Sequence, residues 1–582
     1  MTTRAGRLGR RAWEIAEPFA GAADLARQAG TAPMVAQMLH NRGVTDVETA
    51  RQFLDPKLTH LHDPALLANI DAAAGRILRA VRDGEKITLY GDYDVDGMTG
   101  VAILKAGLAL LGANVDTYVP HRLEEGYGVH TEAVDKLLAA GTKLLITIDC
   151  GITAHGPLAR AAHAGVDVIV TDHHAGDETL PPCMAAIHPK LSPDYPNADL
   201  CGAGVAFKLA WHVARLAEGC DRVSERLRGF LLEAIGLAAL GTIADVVPLR
   251  GENRVFAKYG LMTLSKTRHP GLRALLDSAN LIGADLSARD VGFSLAPRLN
   301  ACGRMGHAAL AVELLTTAPP QKCHEIAAYL VQQNDRRRQI EQEMFDQACQ
   351  MIEQGQSGAG RYAIVLAHPE WHIGVVGIVA SRIVERFHRP AVMIALAGPD
   401  GHGSGRSIPG FNLVDAMAAC GEHLLRFGGH AMAGGLRLSA TNVPAFTEAF
   451  SAYAARQITP AQLERPLRID AEARLGELSH DLAKHLEKLA PFGQGNPAPV
   501  VAFRGCRVLT PPKRMGKAGT TVGLALEQNG TTVRAVGFGK GDLADDLVGV
   551  THIDVAAEIA LNTFNGQTNV ELHLKDVQLP QA

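Results

Sequence analysis

Four short segments gather residues able to hold cations and move protons: GDYDVDG (91–97), IDCG (148–151), TDHH (171–174) and TIADVVPL (242–249). In the first, Asp92, Asp94 and Asp96 alternate ahead of Gly97. Carboxylates this close repel one another unless a cation sits among them, so a solvated turn is a poor account of the run. The opening also fits a calcium loop. That loop requires a bidentate Glu at its twelfth position, which here is Ile103, and a helix rather than a strand leading in. A single Asp such as Asp149 at a strand end, or one histidine among 24, is unremarkable, and Asp245 taken alone reads as a helix cap. Asp149, and Asp172 with His173 and His174, however, each follow directly on a β-branched run, as the aspartates of the first segment do. A mixed Asp/His set without Cys suits Mn²⁺ or Mg²⁺ better than Zn²⁺. Four or five carboxylates with two histidines exceed what one ion requires. A two-metal centre, with ions about 3.5–4 Å apart around a bridging carboxylate, activates a water and stabilises in-line displacement at phosphorus. The chemistry read from these residues is hydrolysis of a phosphoester or phosphoanhydride.

The elements that must position them follow from periodicity. KITLY (86–90), NVDTYV (114–119), KLLITI (143–148) and DVIVT (167–171) read as strands, separated by helical stretches at 99–111, 131–140 and 157–164. Such a βαβ series predicts a mostly parallel sheet covered on both faces, with the C-terminal strand ends sharing one edge where ligands bind. Residues 204–240 read as helical throughout. The apolar stretch 231–247 is interrupted by Glu233 and Asp245, which makes it a buried helix and turn and not a membrane span. Residues 321–354 lack Gly and Pro and form one long helix, ended by Gly355 and QSGAG (356–360). RYAIVLAH and PAVMIALAG then bracket a helix near 373–387. From about 466, short strands with Gly, Pro and Asn turns predict a small antiparallel barrel.

The totals set bounds. A chain of 582 residues calls for about three to four domains. With 47% hydrophobic and 20% charged residues it has ample core material. A formal net charge of −4 gives no support for nucleic-acid binding as a whole-chain property, so any such site must be a local basic surface or work through bound cations. Nine scattered cysteines without a CxxC pair point to reduced thiols and a cytoplasmic protein. The basic N-terminus has no apolar h-region behind it, so no signal peptide is read.

GDYDVDG, IDCG, TDHH and TIADVVPL, in this order and spacing, resemble the four motifs of the DHH phosphoesterase superfamily. The resemblance implies that Asp94 and Asp96 each bind one of two ions, with Asp92 beside them. Asp149 would bridge the ions, and His173 and Asp245 would complete the coordination. His174 would contact the scissile phosphate, and Asp172 would orient a histidine. GSGRSIPG (403–410) and FGGHAMAGG (427–435) resemble the DHH-associated domain that grips substrate phosphates, with Ser404, Arg406 and His430 as its contacts.

PHRLEEGYG (120–128) and APRLNACGRMG (296–306) are similar to segments of RecJ nucleases within that superfamily. By that resemblance Arg122, Ser404 and Arg406 form a pocket for a terminal 5′-phosphate, and Arg298, Asn300 and Arg304 hold the following nucleotides. His307 stands where an acidic residue is expected. The C-terminal segment is similar to an OB-fold. Its Arg504, Arg507, Lys513, Arg514 and Lys517 form a basic stripe that either tracks a single strand or is simply a solvated face. Phe492, Phe503, Phe538 and Phe564 read as core more readily than as base-stacking platforms.

The implied architecture is α/β. A parallel-sheet core (61–320) is joined by a long helix (321–355) to a second α/β domain (356–460). An OB-like barrel (461–582) follows, and residues 1–60 form an N-terminal extension packed on the core. The implied activity is 5′→3′ exonuclease cleavage of single-stranded DNA to 5′-mononucleotides in DNA repair and recombination. Single-stranded DNA is the partner, a helicase and a single-strand-binding protein are further candidates, and no membrane is involved. Two alternatives stay open: a phosphodiesterase for short oligonucleotides or cyclic dinucleotides, and an inactive single-strand-binding protein on the same fold. The appended barrel weighs against the first and the filled ligand positions against the second.

Overall fold

The computed structural model describes residues 11–122, 124–220, 222–355 and 362–580. The first ten residues, Leu123 within PHRLEEGYG, the helix-ending QSGAG and Arg361 lie outside the described residues. The chain divides into two compact units, one of Leu61–Val247 with Val255–Leu463, the other of Met1–His60, Pro248–Arg254 and Glu464–Ala582.

The larger unit opens with five parallel strands, β1 (Lys86–Gly91), β2 (Asn114–Tyr118), β3 (Leu144–Ile148), β4 (Asp167–Thr171) and β5 (Ala185–Ile187), in the order β2-β1-β3-β4-β5. Every residue of β3, and all but the first of β1 and β4, is buried, as helices on both faces require. Gly91 pairs with Ile148 and Ile148 with Thr171. The next residues, Asp92, Asp149 and Asp172, therefore leave the sheet at one level. The strand order reverses between β1 and its neighbours, which opens a crevice at that edge.

Where one continuous helical region was expected there are two helices, Gly202–Glu218 and Glu225–Ala244. Gly219 adopts a left-handed φ of 61° and ends the first of them. Glu225–Ala244 is long and apolar enough to cross a membrane by length and composition alone, but 56% of its apolar window is buried inside the protein. It is a core helix, and a Cβ placed on its Gly241 would stand 2.4 Å from Asp96 Oδ1 and 2.6 Å from Ala203 Cβ.

The long helix runs Pro320–Glu353 and ends before Gly355, whose φ is 74°. It is more than a spacer, because Met344, Phe345 and Ala348 belong to one apolar cluster with Ile364, Leu366 and Trp371. The second sheet contains β6 (Ile364–His368), β7 (Ala391–Ala397), β8 (Asp400–Arg406), β9 (Arg426–His430) and β10 (Ala433–Ser439), ordered β9-β10-β8-β7-β6. Only β6 and β7 are parallel. The helix between them, Val376–Phe387, starts three residues later than expected because His372–Val375 form a turn, in which Gly374 N donates to His372 Nδ1.

The smaller unit is a barrel of Val501–Val508, Thr521–Gln528, Thr531–Gly537, His552–Phe564 and Gln567–Gln578, closed by pairing of the first strand with the second. Phe503, Val522, Leu526, Val555 and Leu572 fill its interior. Residues 1–60 were expected on the phosphoesterase core; the described ones, from Arg11 on, group with this barrel. The apolar faces of Ala22–Ala29, Pro33–Asn41 and Val47–Leu54 share one cluster with the barrel interior. Trp13–Ile15 pairs in parallel with Leu467–Ile469, and Trp13 Nε1 donates to Asp576 at 2.7 Å. Short amphipathic helices need an apolar partner, but their pattern does not say which one. The seven-residue segment Pro248–Arg254 is anchored in this unit by fully buried Arg254, which donates to the carbonyls of Phe53, Lys488, Leu489, Ala490 and Pro491.

Candidate metal centre

The loop after β1 is shaped by its own aspartates. Asp94 caps the helix Val95–Leu110, accepting from the backbone N–H of Asp96 and Gly97 at 2.9 and 3.1 Å. Asp96 reaches across to the start of Gly202–Glu218 and accepts from Gly202 N and Ala203 N at 2.6 and 2.9 Å, the favourable place for an anion at a helix N-terminus. Asp149 holds a left-handed φ of 63°, a conformation that Asp and Asn tolerate better than other side chains do. A Cβ on Gly202 would lie 2.6 Å from the Asp149 carboxylate, so the approach of that helix to Asp149 requires glycine.

Ligand atoms from these loops converge. Asp92, Asp94 and Asp149 offer oxygens within 4.8 Å of one another, as do the donors of Asp96, His173 and Asp245, and those of Asp149, His173 and His174. Asp149 and His173 each belong to two of the three groups. The two His173 groups meet at its Nε2, which lies 3.1 Å from Asp149 Oδ1 and 3.6 Å from Asp245 Oδ2. Asp92 Oδ1, Asp149 Oδ1 and His173 Nε2 are buried without a hydrogen-bond partner among the described residues. Buried polar atoms are normally satisfied, so three orphans facing one space are direct evidence of fit for cations. Burial, reinforced by the Asp94 charge, pushes the Asp92 carboxyl well above its usual range, and burial with Asp96 does the same to Asp149. Burial and then Asp94 or Asp96 raise Asp96 to about 6 and Asp245 to about 8.

The two histidines of TDHH are driven in opposite directions. Burial, and then the charge of His174, lowers His173 to about 3, which leaves a neutral imidazole suited to ligation. Burial opposes charge on His174 too, but the 2.8 Å bond between its Nδ1 and Asp172 Oδ1 outweighs it and raises the group to about 9. Burial would likewise raise Asp172, yet donation from His174, Ile152 and the His174 backbone brings it to about 2. Asp172 thus lies behind the cluster and orients His174.

Three of the arginines singled out in the sequence, Arg122, Arg304 and Arg406, lie close enough to feel one another's charge. The Arg122 guanidinium lies 4.7 Å from the ring centroid of Tyr93, the residue between Asp92 and Asp94. Arg406 Nη1 donates to Ser404 Oγ at 3.0 Å, and Arg304 Nη1 to Gly374 O at 3.1 Å. Among the described residues none of Arg122, Arg304 and Arg406 forms an ion pair with a carboxylate. Burial, then Arg122, Arg337 and Arg406, lowers Arg304 to about 9, and burial with Arg122 lowers Arg406. Cations that depress one another in this way favour an anion between them.

The comparisons with known proteins follow the same divisions. Family models match at residues 86–242 (DHH family, N-terminal domain), 360–456 (DHHA1 domain) and 469–576 (RecJ OB domain). The chain is 37% identical over 576 residues to the single-stranded-DNA-specific exonuclease RecJ of Bacillus subtilis, covering 98% of this chain and 71% of that one. It is 34% identical to the Escherichia coli protein of the same description, covering 94% of this chain and 96% of the other. The chain belongs to the RecJ family. A crystal structure of RecJ with Mn²⁺ from Thermus thermophilus matches with a TM-score of 0.83 at 34% identity, covering 98% of this chain and 80% of that chain. Its Mg²⁺ counterpart matches at 0.77, with 33% identity and coverage of 98% and 79%.

In this RecJ-family chain several other residues singled out in the sequence make contacts within the fold. Asn300 Oδ1 accepts from Val95 N at 3.1 Å, so it braces the aspartate loop. Arg298 donates to the carbonyls of Ser294 and Ser278 at 2.6 and 3.2 Å, the latter at the end of the helix Pro270–Ser278, and its Nε is buried without a hydrogen-bond partner among the described residues. His430 is exposed at the end of the edge strand β9. His307 packs edge-on to Tyr329 with ring centroids 5.7 Å apart. In the barrel, Phe503 is fully buried and Phe492 packs on the core, whereas Phe538 and Phe564 are 61% and 70% exposed, against the core reading. The basic stripe is largely consumed: Arg504 pairs with Glu472 and Asp554, Arg507 with Glu527, and Arg514 with Asp542 and Asp545.

Three residues of the site escaped the sequence reading. Tyr127 Oη lies 3.3 Å from His174 Nδ1. His188 Nε2 bonds to His174 O at 2.7 Å, and Lys190 Nζ donates to His173 O at 2.9 Å. The only signal for His188 and Lys190 was HPK following the short strand β5, which has no metal-ligand spacing of its own.

Proposed function

We propose that this chain is a metal-dependent exonuclease that hydrolyses single-stranded DNA from its 5′ end to 5′-mononucleotides. The observation that carries the reading is the adjacency, within one unit, of an acidic cluster with orphaned ligand atoms and an arginine group that, among the described residues, forms no ion pair with a carboxylate and begins with Arg122 beside Tyr93. The names of the full-length relatives support single-stranded DNA as the substrate.

Two divalent ions, Mn²⁺ or Mg²⁺, suit this donor set of carboxylate oxygens and imidazole nitrogen, and both occur in the solved relatives. Asp92, Asp94 and Asp149 would hold one, Asp96, His173 and Asp245 the other, with Asp149 shared. Bound there, the ions supply charge neutralisation at the phosphate and an acidified water. Arg122, Arg304, Ser404 and Arg406 grip the terminal 5′-phosphate, so the scissile bond lies at a set distance from the end and each cycle releases one nucleotide. His174, charged and held by Asp172, faces the scissile phosphate and stabilises its developing charge.

The reading extends to a role in DNA repair and recombination, with a helicase and a single-strand-binding protein as partners that deliver the strand. All nine cysteines are free thiols, which supports a reducing, cytoplasmic setting. The test is cleavage of 3′-labelled single-stranded DNA with Mn²⁺, comparing 5′-phosphorylated with 5′-blocked strands. A ladder shortening from the 5′ end, lost on blocking and on adding EDTA, is expected. Activity limited to dinucleotides, or binding without cleavage, would overturn the proposal.

A further inference from the structure

The segment PEWHIGVVG (369–377) carries a histidine that none of the roles above uses. It touches the residues proposed to hold the terminal phosphate at two points. Arg304 Nη1 bonds to Gly374 O at 3.1 Å, and a Cβ on Gly377 would stand 3.0 Å from Ser404 Oγ and 3.1 Å from Arg406 Nη2. His372 is therefore bracketed in sequence by contacts to the residues proposed to hold the terminal phosphate.

The turn also settles which imidazole nitrogen is available. Gly374 N–H donates to His372 Nδ1 at 3.1 Å, and the His372 carbonyl accepts from Val375 N and Val376 N at 2.9 and 3.1 Å. Nδ1 is thus the unprotonated nitrogen of the neutral ring, and the proton resides on Nε2. Among the described residues Nε2 has no hydrogen-bond partner. The ring is half-buried, and burial, followed by the Arg336 charge, lowers its pKa and keeps it neutral at physiological pH. A neutral donor adds a hydrogen bond to an anion site without adding another charge to arginines that already repel one another.

We propose that His372 is a further ligand of the strand's terminal 5′-phosphate, donating through Nε2–H beside Arg304 and Arg406. The inference rests on the exonuclease reading for the identity of the anion.

The test is binding of 5′-phosphorylated and 5′-hydroxyl single-stranded DNA to the full chain in EDTA, followed by fluorescence anisotropy, with metal-supported cleavage measured separately. His372→Asn keeps an acceptor for Gly374 N–H and removes the outward donor. His372→Gln reaches the Nε2 position with an amide N–H. The wild-type chain is expected to prefer the phosphorylated strand. His372→Asn should lose roughly tenfold of that preference, the worth of one hydrogen bond to a charged group. His372→Gln should retain most of it, and affinity for the 5′-hydroxyl strand should stay unchanged in both variants. An undiminished preference in His372→Asn, an equal loss on both strands, a loss greater in His372→Gln than in His372→Asn, or no preference in the wild type would each overturn the inference. A wild-type chain that shows the preference but cuts no strand would overturn the exonuclease reading and leave the His372 assignment standing.

Discussion

The acidic cluster at the edge of the first sheet and the basic stripe of the barrel are both dense runs of like charge, and the structure treats them in opposite ways. At the sheet edge Asp92, Asp149 and His173 keep buried atoms without hydrogen-bond partners among the described residues. In the barrel Arg504 is neutralised by Glu472 at 2.8 Å and Asp554 at 2.9 Å, and Arg507 by Glu527 at 2.7 Å. Charges satisfied within the fold contribute to the fold, whereas charges left unsatisfied at a cost in desolvation are kept for a ligand. Arg122, Arg304 and Arg406 resemble the acids in this respect despite their opposite sign, since none of them forms an ion pair with a carboxylate among the described residues.

The largest effect that separates the two regions is expected from Asp149→Asn. Asn tolerates the left-handed backbone at this position. Cleavage of single-stranded DNA should fall by about 10³-fold or more, the several kcal/mol that two-metal stabilisation supplies. Strand binding should persist, and the metal-free melting temperature should hold or rise as a buried like charge is removed. Near wild-type cleavage by the folded variant would show that the orphaned oxygen is not a ligand.

Next in size is Arg406→Ala. Loss of hydrogen bonds to a charged group should lower kcat/KM on 5′-phosphorylated strands by roughly 10- to 100-fold. Mn²⁺ affinity, read by calorimetry, should be unaffected. A matching loss on 5′-hydroxyl strands would remove the phosphate role.

The acidic cluster also predicts a dependence on pH. The folded-state pKa values of Asp96 and Asp245 are raised, so their stabilising contribution is present below about 4 and is lost as pH rises through about 6 and about 8, respectively. His174, raised to about 9, adds a loss at the alkaline end. The metal-free protein should therefore melt several degrees lower at alkaline than at mildly acidic pH. Because ligands must be deprotonated to bind, Mn²⁺ should restore more at the higher pH. A metal-induced shift independent of pH would contradict the assignment.

The smallest effect is expected in the barrel. Arg504→Ala leaves the Asp554 carboxylate, 7% exposed, without one partner, and should cost about 1 kcal/mol after allowance for the exposure of Arg504 itself. Cleavage by the folded variant should stay within about twofold. A large loss of cleavage without a loss of stability would place the stripe among the ligand-binding charges.

How much of this was legible in advance varies with the range of the interactions involved. The strand ends carrying Asp92, Asp149 and Asp172 were legible because a strand buried on both faces is a continuous apolar run, and the polar residue that follows it stands out. The break at Gly219 and the late start of Val376–Phe387 were less visible, since each depends on a local turn, one on a left-handed glycine and the other on a histidine ring accepting a backbone N–H. That Asn300 Oδ1 accepts from Val95 N has no trace in the sequence pattern, because the two residues lie 205 positions apart. The partners of Arg504, Arg507 and Arg514 are 20 to 50 residues distant, so a basic stripe and a set of structural ion pairs look alike in one dimension.

Periodicity and punctuation along the chain were enough to specify the α/β class, the parallel sheet with acidic residues at its strand ends, the long helix and the closing barrel, because these are local properties of the residues. Folding was needed to establish that the N-terminal helices complete the barrel's core, that Arg298 and Asn300 bond to the backbone of Ser278 and Val95, that Phe538 and Phe564 face outward, and which charges are paired. Those outcomes depend on what a side chain meets after folding, and burial, ion pairing and hydrogen-bond satisfaction exist only between segments brought together in space.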